Sequence, residues 1–390
     1  MDWTEVIDYT LDVTRRNINQ LQDFPESCDG SSWRTIERHK GDRAHWVDGF
    51  WTGILWLSYL HSGESVFEEA AKVWTERLRE LKHSTSTHDL GFVFFLSHVL
   101  GGRVLKDTGL YEHAVEAATS LIKRYNPKGE YLQAWGEIDG TKKDRGRTNI
   151  DIMMNLSLLY WASNYTGNPV YADIATHHAR TTKFTLLRAD GSTAHVADFD
   201  LDTGVWVRSD TYQGFSHDSC WSRGEAWALY GFSTCYAATG LPVFLGAARK
   251  TAFYIVDNLP EDLVPFWDFD SPDIPDTYRD SSAAAAMACG LLILADAEED
   301  KKLSEKWKEL AKNITISLWK NYSSRGSDIP AFLLHGSRSV PHGFMEHALI
   351  YGDYYFLEAV TRLSRPDSAP LFDIKEDRDS TDKIKIGGYK

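Results

Sequence analysis

The sequence alternates between two kinds of helical segment, and this alternation restricts its possible folds more than any other feature. Segments of the first kind carry apolar residues at the i, i+3, i+4 and i+7 spacing and charges on the opposite face, which predicts helices that cover a core from outside. They lie at residues 3–21, 64–82, 109–125, 169–186, 242–258 and 301–320. Segments of the second kind are apolar or small on nearly every face, which a helix tolerates only when neighbours bury it on most sides. They lie at residues 46–60, 88–100, 150–165, 221–239, 281–295 and 351–363.

The two kinds of segment form six pairs in the order outer, inner, with about 60 to 70 residues per pair. Repeats of this kind form an open solenoid or close into a ring. The starts of the inner segments favour the ring, because each carries polar groups and a closed barrel brings these starts to one cavity. The groups are Asp48, His88 and Asp89, Asn149 and Asp151, Ser222, Arg223 and Glu225, Asp280 to Ser282, and Asp353. The alternative for each group taken alone is a helix cap.

We therefore expect an all-α fold, a single-domain (α/α)6 barrel or six-hairpin toroid over residues 1–364, followed by a polar C-terminal tail over residues 365–390. The loops that precede the inner helices are long, and loops of this length in a compact domain are usually functional. One of them, at residues 189–212, is predicted to hold a short β-hairpin around Asp190-Gly191.

Charge and composition exclude several classes of function. The 42 basic and 56 acidic residues give a formal net charge of −14, which argues against nucleic acid or an anionic membrane as a partner. The longest weakly polar run, residues 281–295, is shorter than the roughly 20 apolar residues that span a bilayer, and residues 1–20 are amphipathic, unlike a signal peptide. The four cysteines are too few and too scattered for a disulfide framework or a zinc site. We expect a cytoplasmic protein that uses no cofactor and no metal.

Two aspartates are the strongest candidates for catalysis. Asp89 and Asp151 open consecutive inner helices 62 residues apart, so a closed ring makes them neighbours in one cavity. The chain also has 14 Trp, 18 Tyr and 18 Phe, and such rings stack on the C–H faces of sugars as well as filling cores. Paired carboxylates in an aromatic pocket are typical of acid–base work on glycosidic bonds, because like charge and burial raise the pKa of one of them. A helix N-terminus has the opposite effect, and the sequence leaves open which effect prevails at each aspartate.

Around these aspartates the sequence resembles the unsaturated glucuronyl hydrolases of glycoside hydrolase family 88. The family's fold is an (α/α)6 barrel, which agrees with the six helix pairs. The matching motifs span most of the chain in the family's order: His88-Asp-Leu-Gly-Phe92, Ile150-Asp-Ile-Met-Met-Asn155, Gln213-Gly with Asp218-Ser-Cys-Trp-Ser-Arg-Gly224, Asp280-Ser-Ser-Ala-Ala-Ala285, and Tyr351-Gly-Asp-Tyr-Tyr-Phe-Leu-Glu-Ala359.

The resemblance implies an uncommon reaction. Members of this family remove a 4,5-unsaturated uronic acid from the non-reducing end of oligosaccharides made by polysaccharide lyases, by hydrating the vinyl ether double bond. On this chain, the resemblance implies that Asp151 protonates C4 and then, as a carboxylate, deprotonates the water that adds at C5. The resulting hemiketal collapses and releases the sugar. Asp89 would hold a ring hydroxyl and influence the proton affinity of Asp151.

The resemblance also implies further substrate-binding residues. Arg223 and Gln213 match family positions near the substrate, and a guanidinium suits a uronate carboxylate, although an arginine here can equally pair within its own loop. His88 would orient its neighbour or serve as a buried structural histidine. His195 matches a pocket position of the family, with an ordinary structural role in the hairpin as the alternative. The candidate stacking platforms, with core packing as the alternative, are Trp46, Trp135 and Trp221.

One departure from the family pattern bears on the substrate. Members that accept sulfated fragments carry Ser-x-x-Ser-x-Lys before the Gly-Asp-Tyr-Tyr motif, whereas residues 337–344 of this chain have no lysine in that place. This favours unsulfated chondroitin, hyaluronan, heparin-type or gellan-type disaccharides, with Arg338 as an alternative sulfate contact. Three competing functions stay open: an unsaturated rhamnogalacturonyl hydrolase of the same fold, a non-catalytic helical-repeat scaffold, and an inverting hydrolase of saturated glycans.

Overall fold

The computed structural model describes residues 2–36, 44–136, 138, 146–374 and 386–387. The described chain is mainly helical, as the hydrophobic periodicity predicts, and the observed helices follow the outer and inner segments closely. The helices are α1 (Thr4–Gln20), α2 (Asp48–Ser62), α3 (Ser65–Glu76), α4 (Leu90–Phe94), α5 (Leu100–Leu105), α6 (Gly109–Ile122), α7 (Ile152–Thr166), α8 (Val170–Thr185), α9 (Ser222–Thr239), α10 (Pro242–Asn258), α11 (Ser281–Ala297), α12 (Lys301–Asn321), α13 (Ile350–Ser364) and α14 (Ala369–Phe372).

The inner helices close into a ring. Helices α2, α4, α7, α9, α11 and α13 each pack against the next member of this series, and α13 packs against α2. The outer helices α1, α3, α6, α8, α10 and α12 surround this ring, and each packs on one or two inner helices. The arrangement is an (α/α)6 barrel, so the predicted fold is confirmed and the open solenoid is not formed.

Burial follows the two sequence patterns. In the outer helix α12, the residues Trp307, Ala311, Ile314 and Leu318 are buried at alternating spacings of four and three, while the opposite face is charged. In the inner helix α11, every residue from Ser281 to Leu292 is buried. An all-round apolar helix has this environment only between neighbours on several sides, which the double ring of helices provides.

Glycines allow the starts of the inner helices to approach each other. A Cβ atom on Gly49 of α2 would lie 2.0 Å from the carbonyl oxygen of Phe92 in α4. A Cβ atom on Gly91 of α4 would lie 2.4 Å from the Cα atom of Asn155 in α7. The backbones of these three helices therefore touch where the first two candidate motifs begin, and a larger residue at either glycine would push them apart.

The inner helix that follows Asp89 is interrupted. A π-helical turn over Phe95–Val99 separates α4 from α5, whereas the apolar pattern at residues 88–100 predicted one continuous helix. A π-turn inserts an extra residue into the helical repeat without breaking the run of apolar residues, so the pattern could not reveal it.

Short antiparallel strands cover one end of the barrel. They form three small sheets with the strand orders β2-β1-β8, β3-β4 and β5-β6-β7. The pairing of Ser27 with Leu349 in the first sheet joins the first and last repeats. The strands are β1 (Phe24–Cys28), β2 (Arg34–Ile36), β3 (Tyr125–Asn126), β4 (Tyr131–Leu132), β5 (Arg147–Asn149), β6 (Val196–Phe199), β7 (Trp206–Asp210) and β8 (Ala348–Leu349).

The hairpin predicted in the loop at residues 189–212 is present, but its turn lies later than expected. Strands β6 and β7 pair on either side of a turn that Asp200 stabilises by accepting the N–H groups of Asp202 and Thr203. Asp190-Gly191 forms a separate turn with a single bridge across it. Both turns begin with an aspartate and contain glycine, so turn chemistry alone did not distinguish them.

The segment after α13 lies against the barrel as far as it is described. Arg103 donates to the carbonyl oxygen of Leu371 at 2.9 Å, and Phe372 and Ile374 are buried. Residues 375–385 and 388–390 of the predicted tail lie outside the described residues, and the domain boundary at residue 364 stays a prediction. Within the described ranges, no helix is both long and apolar enough to cross a membrane.

Candidate active site

A cavity of about 880 Å³ opens at the end of the barrel where the inner helices start. Most of the residues that the sequence predicted for the site line this cavity, and they come from loops and helix starts of several repeats. The predicted lining residues are Trp46, His88, Asp89, Trp135, Asp151, Gln213, Trp221 and Arg223. The barrel thus brings together side chains that are up to 177 residues apart in sequence, from Trp46 to Arg223.

Asp89 precedes the first turn of α4 and does not cap it. Instead, one carboxylate oxygen accepts the hydroxyl of Thr87 at 2.8 Å, and the other lies 3.1 Å from Nε2 of His88. The other ring nitrogen of His88 donates to the carbonyl oxygen of Ala134 at 2.7 Å, which fixes the orientation of the imidazole. His88 therefore orients its neighbour, as one of its two predicted roles requires.

Asp151 occupies the same position before α7 and also leaves its helix uncapped. Its side chain is 19% exposed, but Oδ2 is buried and lies 3.4 Å from Nε2 of His195. Burial raises the pKa of Asp151, yet the contact with His195 and the electrostatic influence of His195, His88 and Arg223 outweigh burial and hold this pKa below its ordinary value. In the free protein, Asp151 is therefore a carboxylate at neutral pH.

His195 lies behind Asp151, because its side chain is 1% exposed and does not reach the cavity wall. Its ring packs at 4.6 Å from the ring of Trp221. Trp221 in turn lies 4.5 Å from the guanidinium of Arg223, so the three side chains form one stacked layer beneath the cavity.

Arg223 is buried and its guanidinium is engaged within the protein. It forms an ion pair with Asp280, and it donates to the carbonyl oxygens of Ser337 at 2.6 Å and Arg338 at 2.5 Å. Gln213 donates to the same Arg338 carbonyl at 2.7 Å. The arginine therefore ties the start of α9 to the loop before α13, which agrees with the alternative of pairing within the protein, while its charge stays beside the cavity.

Four aromatic residues that the sequence did not single out, or one turn that it missed, complete the cavity wall. Tyr212 is 58% exposed, and its ring lies 4.6 Å from that of His342 and 6.3 Å from that of Trp135. The lining residues that were not predicted as binding residues are Asn149, Tyr212, Arg338, Ser339, His342 and Phe344. The available signal was the length of the loops at residues 189–219 and 322–347, but length does not say which side chain turns inward.

A cationic group sits at the edge of the cavity around Glu26. The buried carboxylate of Glu26 lies 2.6 Å from the guanidinium of Arg338, 3.7 Å from that of Arg34 and 3.8 Å from the imidazole of His45. Arg338 also lies over the ring of Phe344 at 5.2 Å. The guanidinium that was considered as a sulfate contact is therefore already paired with a carboxylate.

The remaining acidic groups at the inner helix starts have structural partners. Asp280 caps α11 by accepting the N–H groups of Ser282 and Ala283. Asp353 accepts the N–H groups of Phe332 and Leu333, and burial raises its pKa to about 8. The expectation that all six starts contribute to one site therefore divides, because some of these groups hold the ends of the barrel together.

Glu225 is a second buried carboxyl group with a raised pKa. Burial raises its pKa to about 8, and one of its oxygens accepts the hydroxyl of Thr193 at 2.7 Å and the thiol of Cys220 at 3.3 Å. Among the described residues, no group of three or more His, Cys, Asp or Glu side chains could hold a metal ion.

Comparisons with known proteins agree with this geometry. The model of the family described as Glycosyl Hydrolase Family 88 matches residues 19–329. The chain is 36% identical over 374 residues to an unsaturated glucuronyl hydrolase from Bacillus sp. (strain GL1), covering 93% of this chain and 97% of the relative. It is 35% identical over 375 residues to an unsaturated chondroitin disaccharide hydrolase from Streptococcus pyogenes serotype M1, covering 93% of this chain and 91% of the relative. A solved Asp-to-Asn variant of an unsaturated glucuronyl hydrolase with dGlcA-Glc-Rha-Glc superposes with a TM-score of 0.90 at 34% identity, covering 97% of this chain and all of that one.

Proposed function

Because this chain belongs to glycoside hydrolase family 88, we propose that it removes a 4,5-unsaturated uronic acid from the non-reducing end of lyase-generated oligosaccharides by hydrating the vinyl ether double bond. One observation carries the assignment. Asp89 and Asp151 open neighbouring inner helices, leave those helices uncapped, and line the same aromatic cavity. A scaffold protein needs no such pair, since carboxylates at these positions would contribute more to stability as caps.

Asp151 is the group that exchanges protons with the substrate. Its carboxylic acid form transfers a proton to C4, the electrons of the C4–C5 double bond form the new C–H bond, and positive charge develops at C5 beside the ring oxygen. The carboxylate left behind then accepts a proton from the water that adds at C5, so the group returns to its acid form. The hemiketal opens and releases the remaining saccharide.

The resting charge of Asp151 is opposite to the form that this step needs. A uronate carboxylate entering the cavity adds a negative charge near Asp151 and displaces water, and both changes raise the pKa of a carboxyl group. Substrate binding thus supplies the acid form, and an empty site keeps Asp151 ionised. Asp89, which the Thr87 hydroxyl and His88 hold in place, is suited to accept a hydrogen bond from a ring hydroxyl.

Arg223 and Gln213 bind the uronate end of the substrate indirectly as well as directly. Arg223 places a buried positive charge under the cavity, and Asp280 neutralises only part of its field. Gln213 fixes the loop at Arg338 through its amide nitrogen, which leaves its side-chain carbonyl oxygen for a hydroxyl donor. Trp46, Trp135 and Trp221 supply apolar faces for stacking on sugar rings.

The substrate is a fragment of an acidic polysaccharide, and unsulfated forms suit the cavity best. The Streptococcus pyogenes relative is named for unsaturated chondroitin disaccharides. In this chain the loop at residues 337–344 has no lysine, and the guanidinium of Arg338 is paired with Glu26. An incoming sulfate would have to compete with that carboxylate.

The test is a panel of lyase-generated unsaturated disaccharides with and without sulfate, an unsaturated rhamnogalacturonan disaccharide, and saturated counterparts. The ultraviolet absorbance of the conjugated uronide should fall with the unsaturated uronides and should not require added metal. Asp151→Asn should lower turnover by at least about 10³-fold without changing the circular dichroism spectrum. Stable absorbance with every unsaturated substrate, or cleavage of saturated disaccharides only, would overturn the assignment.

We also infer a cytoplasmic site of action. All four cysteines are unpaired and buried in the folded chain, which suits a reducing compartment. The net charge of −14 argues against nucleic acid and anionic membranes as partners. Activity that appears only in the secreted fraction of the source cells would contradict this location.

A further inference from the structure

The most informative unexplained feature is a pair of buried polar atoms next to the cavity. Oδ2 of Asp151 and Nε2 of His195 are both inaccessible to water, and neither makes a hydrogen bond to another described group. They lie 3.4 Å apart, which is just longer than a good hydrogen bond. Unsatisfied buried polar groups are rare in folded proteins, and such a pair beside a reactive group requires an explanation.

The backbone fixes which nitrogen of His195 carries the proton. Nδ1 faces the backbone N–H groups of Tyr212 at 3.2 Å and Gln213 at 3.3 Å, so it must accept hydrogen bonds. An imidazole that accepts at Nδ1 carries its proton on Nε2. That N–H points toward Oδ2 of Asp151, and Trp221 holds the ring in this plane from one side.

The charged and titratable groups around His195 are few in the described structure. Asp151 faces it from the start of α7, Arg223 lies on the other face of Trp221, and Tyr212 precedes the cavity wall. The hydroxyl of Thr211 lies 3.4 Å from Nδ1. Asp151 is therefore the one anion in contact with the imidazole among these residues.

We propose that His195 is a positioning residue for Asp151, whose Nε2–H holds Oδ2 and leaves Oδ1 to carry the exchanged proton into the cavity. This inference rests on the function proposed above. The contact shortens into a hydrogen bond as Asp151 gives its proton to C4, because the carboxylate that forms is a stronger acceptor than the carboxylic acid. His195 neither gains nor loses a proton in this step.

The same geometry links Asp151 to the substrate-binding loop. The two N–H donors to His195 belong to Tyr212 and Gln213, whose side chains line the cavity. A substrate that moves this loop also moves the imidazole that orients Asp151. Positioning of the acid is thus coupled to filling of the cavity.

The test compares two substitutions of different reach. His195→Phe keeps a ring against Trp221 but has no N–H, whereas His195→Gln carries an amide N–H at about the place of Nε2. The readout is the pH dependence of kcat/KM, which falls with rising pH as Asp151 loses the proton it must donate. Losing the donor raises the pKa of Asp151, so in His195→Phe this limb should move up by about one pH unit, with kcat lowered about 10- to 100-fold. His195→Gln should return the limb toward its original position.

A second measurement keeps the outcome decisive if His195→Phe is inactive or unfolded. The carboxyl ¹³C resonance of Asp151, identified by its absence in Asp151→Asn, can be titrated directly in the wild-type protein and in His195→Gln and His195→Asn. The shorter asparagine cannot reach Oδ2, so Asp151 should titrate at a higher pH there than in the glutamine variant. Equal titration of Asp151 in all three proteins would overturn the proposal. Failure of the wild-type protein to consume unsaturated uronides would overturn the proposed function instead, and the titration would still report on the contact.

Discussion

Asn155 in α7 donates its side-chain amide to Asp89 at the start of the neighbouring inner helix, at 3.4 Å. The same amide nitrogen lies 3.3 Å from the backbone carbonyl oxygen of Asp151, and the amide oxygen accepts the N–H of Phe92 at 2.9 Å. One buried side chain thus connects the two helices that present the candidate catalytic aspartates. The close approach at Gly91 makes this connection possible, because Asn155 lies directly against it.

Replacing Asn155 should separate structural from electrostatic effects. Asn155→Asp keeps an acceptor for the N–H of Phe92 but places a third carboxyl group beside Asp89, and we expect kcat/KM to fall about 10- to 100-fold. Asn155→Ala also leaves the Phe92 N–H unsatisfied, so it should cost a further 1–3 kcal/mol or so of unfolding free energy. Turnover and thermal unfolding measure the two effects. The control is Asn258→Asp on the exposed side of α10, and full activity in Asn155→Asp would contradict this role.

Binding of a uronate should be accompanied by proton uptake. The pKa of Asp151 lies below its ordinary value in the free protein, and a negative ligand raises it, so protons are taken up at pH values between the free and bound pKa. A saturated glucuronyl disaccharide binds without reacting, and calorimetry in buffers of different ionisation enthalpy counts the protons. We expect up to about one proton per site in the wild-type protein at mildly acidic pH, and much less in Asp151→Asn. Equal uptake in both proteins would show that another group responds to the ligand.

Glu225 should make stability depend on pH. Burial raises its pKa from 4.5 to about 8, so the folded state keeps a proton that the unfolded state loses. This contribution is complete below pH 4.5 and is lost as the pH rises toward 8, because the unfolded state then becomes the better ionised of the two. Glu225→Gln cannot ionise, so its melting temperature relative to the wild-type protein should increase by about 2 °C or more between pH 5 and pH 8. Calorimetric melting at both pH values tests this, and a difference that does not change with pH would contradict it.

Glu26 should limit the use of sulfated substrates. Its carboxylate pairs with Arg338 at the cavity edge, and neutralising it in Glu26→Gln leaves the guanidinium available to another anion. We expect the kcat/KM ratio of a sulfated to an unsulfated unsaturated disaccharide to rise about fivefold. Glu80→Gln, which removes an exposed carboxylate paired with Arg79, is the matched control and should leave the ratio unchanged. A ratio that stays constant in Glu26→Gln would place the sulfate elsewhere.

The hydrophobic pattern predicted the barrel because each helix repeats its environment many times. Helix α12 shows one buried stripe and α11 is buried throughout, so the period and the breadth of the apolar face distinguished outer from inner helices. Ring closure could be expected only from the polar groups at the helix starts. These groups then proved to be of two kinds, since Asp89 and Asp151 face the cavity while Asp280 caps its helix.

Contacts between distant segments could not be predicted from the pattern. The tie between Arg223 and the loop at residues 337–338 joins parts of the chain more than a hundred residues apart, and no local rule specifies it. The position of His195 behind Asp151 depends on how the hairpin β6–β7 is placed against α7. The family motifs identified which residues gather at the cavity, but whether a side chain forms its wall or its support follows only from the packing.

The closure of α13 on α2 has a consequence for the order in which the enzyme becomes functional during its synthesis. Both candidate catalytic carboxylates lie within the first 151 residues, whereas the wall at residues 337–344 and the last helix of the ring are translated near the end. A nascent chain therefore holds its reactive acids long before it has a compartment in which to use them. Since ring closure pairs β1 with β8 across more than 300 residues, docking of the last repeat is expected to be a late event of folding and the one that switches activity on.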